Sequence, residues 1–160
     1  MLNIRVICVG KLKERFYADA ASEYVKRLEF YCKPEVIELS EHRLPAAPSD
    51  AQIQIGLYKE QASIREALAP TAFVIALCVE GREIDSIGFS KLLSDCAGHG
   101  ASRVCFVIGG SYGLHEDLKA SANIRLSLSK MTLPHNLARV VLLEQLYRAF
   151  NIAEGGKYHK

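Results

Sequence analysis

The sequence predicts an α/β fold: a mostly parallel sheet with helices on both faces. Three observations carry this reading. Short apolar, β-branched runs recur along the chain, helical periodicities fill the gaps between them, and capping or turn residues stand at the joins. The chain has 160 residues, 49% of them hydrophobic, with no low-complexity tract, repeat or linker. That length buries a sizeable core, so residues 1–160 are expected to form a single domain.

Ile4 to Val9 reads as the first strand, and Glu14 to Phe30 as an amphipathic helix with Phe16, Ala20, Tyr24 and Leu28 at four-residue spacing. Pro34 to Leu39 is the next strand. A polar loop with Pro45 and Pro48 leads to Ser49-Asp50-Ala51-Gln52, a capping-box pattern that starts a helix reaching Leu68 before Pro70. Phe73 to Val79 is continuously apolar, as a central parallel strand should be, and Ser86 to Ala97 is helical up to Gly98 and Gly100. Arg103 to Ile108 is a buried strand. Leu114 to Ala122 makes a short helix, Ile124 to Leu128 a last strand, and Asn136 to Ile152 a long helix whose broad apolar surface implies core or a subunit interface.

The net charge of +2 is unevenly laid out. Both termini are basic and the middle is acidic, so termini that met in space would form a face suited to an anionic partner such as RNA. Five cysteines, Cys8, Cys32, Cys78, Cys96 and Cys105, show no C-x-x-C pairing, and those in strands read as small buried hydrophobes. A reduced, cytosolic protein is expected. Ile4 to Val9 is too short for a secretory or membrane segment, and no other run is long enough, so no membrane partner is expected.

Several chemistries lack their motifs. Strand one ends Val9-Gly10-Lys11 without G-x-G-x-x-G, no Walker loop follows a strand, and the five histidines lack the H-x-x-x-H spacing of a helical metal site. No metal is expected. Gly109-Gly110-Ser111-Tyr112-Gly113 does match G-x-S-x-G between strand and helix, which would make Ser111 the nucleophile of a small serine hydrolase. Its partners would be Glu144 or Asp117 and His135 or His159.

The same glycines equally let backbone approach a ligand at a strand end, where open α/β sheets bind ligands. Ser129, Lys130 and Thr132 place polar groups in a connector that Met131 and Leu133 could wall, a segment able to hold an adenine through its main chain. Glu144 and Arg148 are spaced i,i+4, while Arg139 and Arg148 carry rigid forks suited to phosphate or a planar base. His159, flanked by Tyr158 and Lys160, could close over a substrate and move a proton near neutral pH.

Gly-Gly-Ser-Tyr-Gly-Leu at 109–114, Leu-Ser-Lys-Met-Thr-Leu-Pro-His at 128–135, Arg-Val-Val-Leu-Leu-Glu-Gln-Leu-Tyr-Arg-Ala-Phe at 139–150 and the closing Tyr-His-Lys together resemble the ribosomal RNA large subunit methyltransferase H family. The likeness includes Val-Gly-Lys-Leu-Lys at 9–13 and is unspecific only between about 40 and 70. It implies a SPOUT-type fold with a C-terminal trefoil knot, and a homodimer that uses S-adenosyl-L-methionine to methylate N3 of a pseudouridine in helix 69 of 23S rRNA in the assembled ribosome. By position, it implies cofactor contacts at Leu77, Gly109, Leu128, Ser129, Lys130, Met131, Thr132 and Leu133. At the positions the resemblance locates, the chemistry of removing the N3 proton makes His159 the first candidate for proton acceptor, with Tyr158, Arg139, Glu144 and Arg148 holding the base. A non-catalytic RNA-binding module is the third class and would bind RNA without the cofactor.

Overall fold

The structure is a computed structural model that describes residues 1–160. Its elements alternate as β1 (Asn3–Val9), α1 (Arg15–Leu28), β2 (Lys33–Leu39), α2 (Asp50–Ala67), β3 (Phe73–Glu83), α3 (Ser86–Gly98), β4 (Arg103–Ile108), α4 (Glu116–Ser121), β5 (Ile124–Ser127) and α5 (His135–Ala153). The five strands form one sheet in the order β2-β1-β4-β3-β5, and every pairing is parallel. The expected architecture is therefore present.

Alternation along the strands sorts the core into two layers. Ile4, Val6 and Cys8 of β1, with Val104, Phe106 and Ile108 of β4, pack against α1, α3 and α5 through Leu28, Phe89, Leu93, Leu142 and Leu146. Ile7, Val9 and Val107 point the other way and meet Ile64 of α2 and Leu118 of α4. A parallel sheet covered on both faces needs strands apolar on both sides, which is why β4 is buried from Val104 to Ile108. Cys8, Cys32, Cys96 and Cys105 are buried free thiols, and Cys78 is half-buried. No helix is long and apolar enough to cross a membrane.

Helix boundaries follow their caps. Ser49 Oγ accepts from the Gln52 amide at 3.2 Å and Gln52 Oε1 accepts from the Ser49 amide at 2.9 Å, the reciprocal box that the sequence shows. The fourth helix begins at Glu116 rather than Leu114, because His115 acts as its cap: Nδ1 accepts from the Asp117 amide at 3.1 Å. Leu114 is instead buried in the second core layer.

The largest departure from expectation lies in β3. It continues past Val79 to Glu83, and Leu126 of β5 is paired with both Leu77 and Arg82. The residues between them form a bulge, after which the strand rejoins the β5 backbone. Gly81 permits this contact, since a Cβ there would lie 2.7 to 2.8 Å from the backbone of Arg125 and Leu126. This pairing brings the end of β3 beside the end of β5, where the site forms.

Candidate functional site

A cleft of about 700 Å³ opens at the carboxyl ends of β3, β4 and β5, a size that suits a small-molecule ligand. Three segments wall it. Leu77 to Glu80 enter from β3, Gly109 to Leu114 from the turn after β4, and Ser127 to His135 from the connector into α5. Of the eight residues expected to contact a cofactor, Leu77, Gly109, Leu128, Ser129, Met131, Thr132 and Leu133 line the cleft. Lys130 does not: its side chain is 87% exposed and its ammonium lies 3.9 Å from Glu83.

The turn is closed by its own backbone. Gly113 donates to the Gly110 carbonyl at 3.1 Å with φ at +79°, and a Cβ on Gly109 would collide with the Gly113 carbonyl. Glycine is required at 109 by the turn itself before any ligand arrives. Ser111 donates to Glu41 Oε1 through both its amide, at 3.3 Å, and its hydroxyl, at 3.2 Å. Neither His135 nor His159 is hydrogen-bonded to it, so the base that an activated serine needs is missing and the hydrolase reading finds no triad.

The connector is held mainly by side chains. Ser127 Oγ donates to the Ser129 carbonyl at 2.9 Å, and Ser129 Oγ accepts from the Met131 amide at 3.0 Å. No backbone–backbone bond of the turns and loops involves residues 128–133. Their remaining amides and carbonyls are thus free to bond a ligand, beside the apolar walls of Leu77, Leu128 and Leu133.

Sequence reasoning missed a charged pair on the opposite wall. Lys119 donates to Glu80 at 2.6 Å and to Glu116 at 2.9 Å. Burial opposes the charge of Lys119, but these two hydrogen bonds outweigh it and raise its pKa. The hydrogen bond from Lys119 likewise holds the Glu80 carboxyl below its ordinary value. Cys78 also lines the cleft, with a pKa raised chiefly by burial, which keeps the thiol protonated and unreactive at neutral pH. The signal for the pair was not local, because Glu80 and Lys119 are 39 residues apart.

A second group assembles on α5. The Tyr158 hydroxyl donates to Glu144 at 3.2 Å, Arg148 Nε donates to the same carboxylate at 3.0 Å, and the Arg148 guanidinium stands 4.5 Å from the Tyr158 ring centre. His159 Nδ1 lies 3.5 Å from Arg148. Burial, then hydrogen bonds with Tyr24 and Glu144, push the Tyr158 pKa up to about 12. The tail is therefore docked: the Tyr158 amide donates to Asn151 at 3.0 Å, and its ring packs edge-on against Tyr147.

Arg139 stands apart from that group. Its side chain is only 3% exposed, donating to Glu38 at 2.6 Å and to the Gly10 carbonyl at 3.0 Å, so it faces the turn after β1 rather than a substrate. None of Glu144, Arg148, Tyr158 and His159 lines the cleft of the same chain. The arrangement can bind a flat apolar ligand through main-chain groups in one place, and orient and deprotonate a polar one in another.

Residues 2–159 match the model of a family described as Predicted SPOUT methyltransferase. The Ribosomal RNA large subunit methyltransferase H of Streptococcus equi subsp. zooepidemicus is 46% identical over 159 residues, covering 99% of this chain and 100% of that protein. The protein of the same name from Streptococcus sanguinis shows the same identity and coverage. Among solved structures, a probable methyltransferase from Bordetella pertussis superposes with a TM-score of 0.60 at 18% identity, over 93% of this chain and 96% of that one. A tRNA (m1G37) methyltransferase from Aquifex aeolicus reaches 0.54 at 15% identity, over 91% of this chain and 69% of that one. At such identities the two structures share the fold.

Proposed function

We propose, from the premise that this chain belongs to the SPOUT methyltransferase family, that it methylates N3 of a pseudouridine in large-subunit ribosomal RNA with S-adenosyl-L-methionine as methyl donor. The observation that carries this is the cleft at the ends of β3, β4 and β5, walled by the connector whose backbone is left free to bind. Its volume, apolar walls and main-chain groups fit an adenosine-bearing ligand. When bound there, S-adenosylmethionine supplies a methyl group already activated by its sulfonium.

The chain's own residues then have three tasks. Leu77, Gly109, Leu128, Ser129, Met131, Thr132 and Leu133 hold the donor, with main-chain groups reading the base and Leu128, Met131 and Leu133 packing against it. Glu144 and Arg148, fixed to each other, present a carboxylate and a guanidinium to the target nucleobase. Tyr158 stays protonated at neutral pH and acts as a hydrogen-bond donor, which leaves His159 to accept the N3 proton. To do so the imidazole exchanges its contact with Arg148 for one with the substrate.

Cleft and tail group do not share a cavity within one chain, which supports a homodimer in which one copy's tail completes the other's site. The C-terminal segment is read as threaded into the trefoil knot of the fold class, a reading that rests on the match to the SPOUT family. The target is read as 23S rRNA of the assembled ribosome, in the cytoplasm. Calorimetry with S-adenosylmethionine, beside methyl-group incorporation into ribosomes lacking the modification, tests the proposal. Micromolar cofactor binding with incorporation at one pseudouridine is expected; RNA binding with no cofactor heat would leave a non-catalytic RNA module.

A further inference from the structure

We propose that the turn between β1 and α1, Lys11 to Arg15, is a preformed docking site for the RNA phosphates that flank the target nucleotide. This rests on the RNA substrate of the proposed function.

The turn stands at the mouth of the cleft. It leaves the carboxyl end of β1, on the same edge of the sheet as the site, and a Cβ built on Gly10 would lie 3.7 Å from Nε2 of His135, which lines the cleft. Its shape is fixed from three sides. The Gly10 amide donates to the Leu39 carbonyl at 2.7 Å, the Gly10 carbonyl accepts from Arg139 at 3.0 Å, and the Leu12 amide donates to Glu38 at 3.0 Å. Gly10, at φ +99°, takes a backbone conformation that other residues rarely adopt.

Glu38 and Arg139 both close on this turn and are themselves bridged at 2.6 Å. Arg139 is buried and Glu38 about a third exposed, and their bridge, with the bonds to Leu12 and Gly10, holds the turn's backbone in one shape. What the turn displays is positive charge. Lys11, Lys13 and Arg15 are exposed; the two lysines have no carboxylate within 4.0 Å, and Arg15, 93% exposed, makes only a loose 3.8 Å contact with Asp19. Phe16 follows, 66% exposed, as a platform on which an unpaired base can stack. Three exposed cations on a fixed turn, outnumbering its single carboxylate Glu14 and with only Arg15 loosely paired, stand beside a nucleotide-sized cleft and match a phosphate backbone.

The test replaces all three cations (Lys11→Ala, Lys13→Ala, Arg15→Ala) and compares the variant with one lacking three exposed cations elsewhere (Lys33→Ala, Lys59→Ala, Arg103→Ala), of which Lys33 and Arg103 begin strands at the far end of the sheet. Ribosome binding is measured across a salt series, beside S-adenosylmethionine affinity. Each lost phosphate contact should lower the slope of log affinity against log salt by about 0.7 to 0.9, so the turn variant, lacking three, should lose about 2 to 3. Its KM for ribosomes should rise at least about tenfold with kcat and cofactor affinity unchanged, and the control variant should match the wild type. An unchanged slope in the turn variant, or an equal loss in the control, would overturn the docking site. A wild-type protein that binds neither cofactor nor ribosome would instead defeat the functional reading beneath it.

Discussion

Glu38 and Arg139 meet across 101 positions of sequence, and nothing in either residue's neighbourhood announces the other. Arg139 stood in a helix among possible substrate-holding groups because its fork suits a planar base. The structure gives that fork to Glu38 and Gly10 instead. Burial opposes ionisation of Glu38, but the hydrogen bonds from Arg139 and the Leu12 amide overcome it and lower its pKa below the ordinary 4.5. A carboxylate depressed in the fold contributes stability that is present above its unfolded pKa and lost as pH falls through the folded one. Chemical denaturation from pH 6 down to 3 should therefore show part of the acid destabilisation missing in Glu38→Gln, with the variant less stable than wild type at pH 6. Identical pH profiles would detach the pair from stability.

Tyr158 is raised rather than lowered, from 10.0 to about 12, so the sign reverses. Its docked, neutral form contributes stability fully present below pH 10 and lost as pH rises from there toward 12. An ultraviolet titration of wild type against Tyr158→Phe should show one phenol ionising late; loss of an ordinary phenol near pH 10 would contradict the docked tail. The residue types of this group, Glu144, Arg148, Tyr158 and His159, were legible in the sequence because they fall in two local pairs, Glu144 with Arg148 at i,i+4 and Tyr158 with His159 in the tail motif. Their hydrogen bonds were not, since the tail must fold back along α5 to make them.

At the scale of elements, local periodicity located every helix and strand, for the 3.6 and 2 residue repeats record which face is buried. The misplaced end is instructive. β3 looked finished at Val79 because Glu80, Gly81, Arg82 and Glu83 are polar, yet they continue as a strand by pairing with β5. Gly81 was the available signal, a lone glycine beside a strand that marks close backbone approach. Gly81→Ala should destabilise the protein by about 1 to 3 kcal/mol, because the atoms it would strike belong to the β5 backbone and cannot swing aside. Thermal unfolding checks this, and a wild-type melting temperature would mean that β3 and β5 separate freely. The segments proposed to hold the cofactor stood out for the opposite reason: Gly109 to Gly113 and Leu128 to Leu133 are each contiguous, and both wall the cleft apart from Lys130.

Across the whole molecule, the parallel α/β class followed from the order of elements, but the strand order did not. Placing β4 between β1 and β3, and β5 outside β3, sets the carboxyl ends of β3, β4 and β5 around one cleft and leaves the docked tail outside it. That separation depends on contacts spanning the chain, so no single motif records it. It underlies the proposal that binding the methyl donor and accepting the substrate proton belong to different parts of the protein, joined when two copies meet.

Single-turnover methylation of unmodified ribosomes by protein lacking Tyr158 to Lys160, with cofactor affinity measured on the same preparation, tests this most directly. The account predicts unchanged S-adenosylmethionine binding and a methyl-transfer rate lower by about 10²- to 10⁴-fold, the usual contribution of a positioned general base. Wild-type turnover by the truncated protein, or loss of cofactor binding in step with the rate, would contradict it.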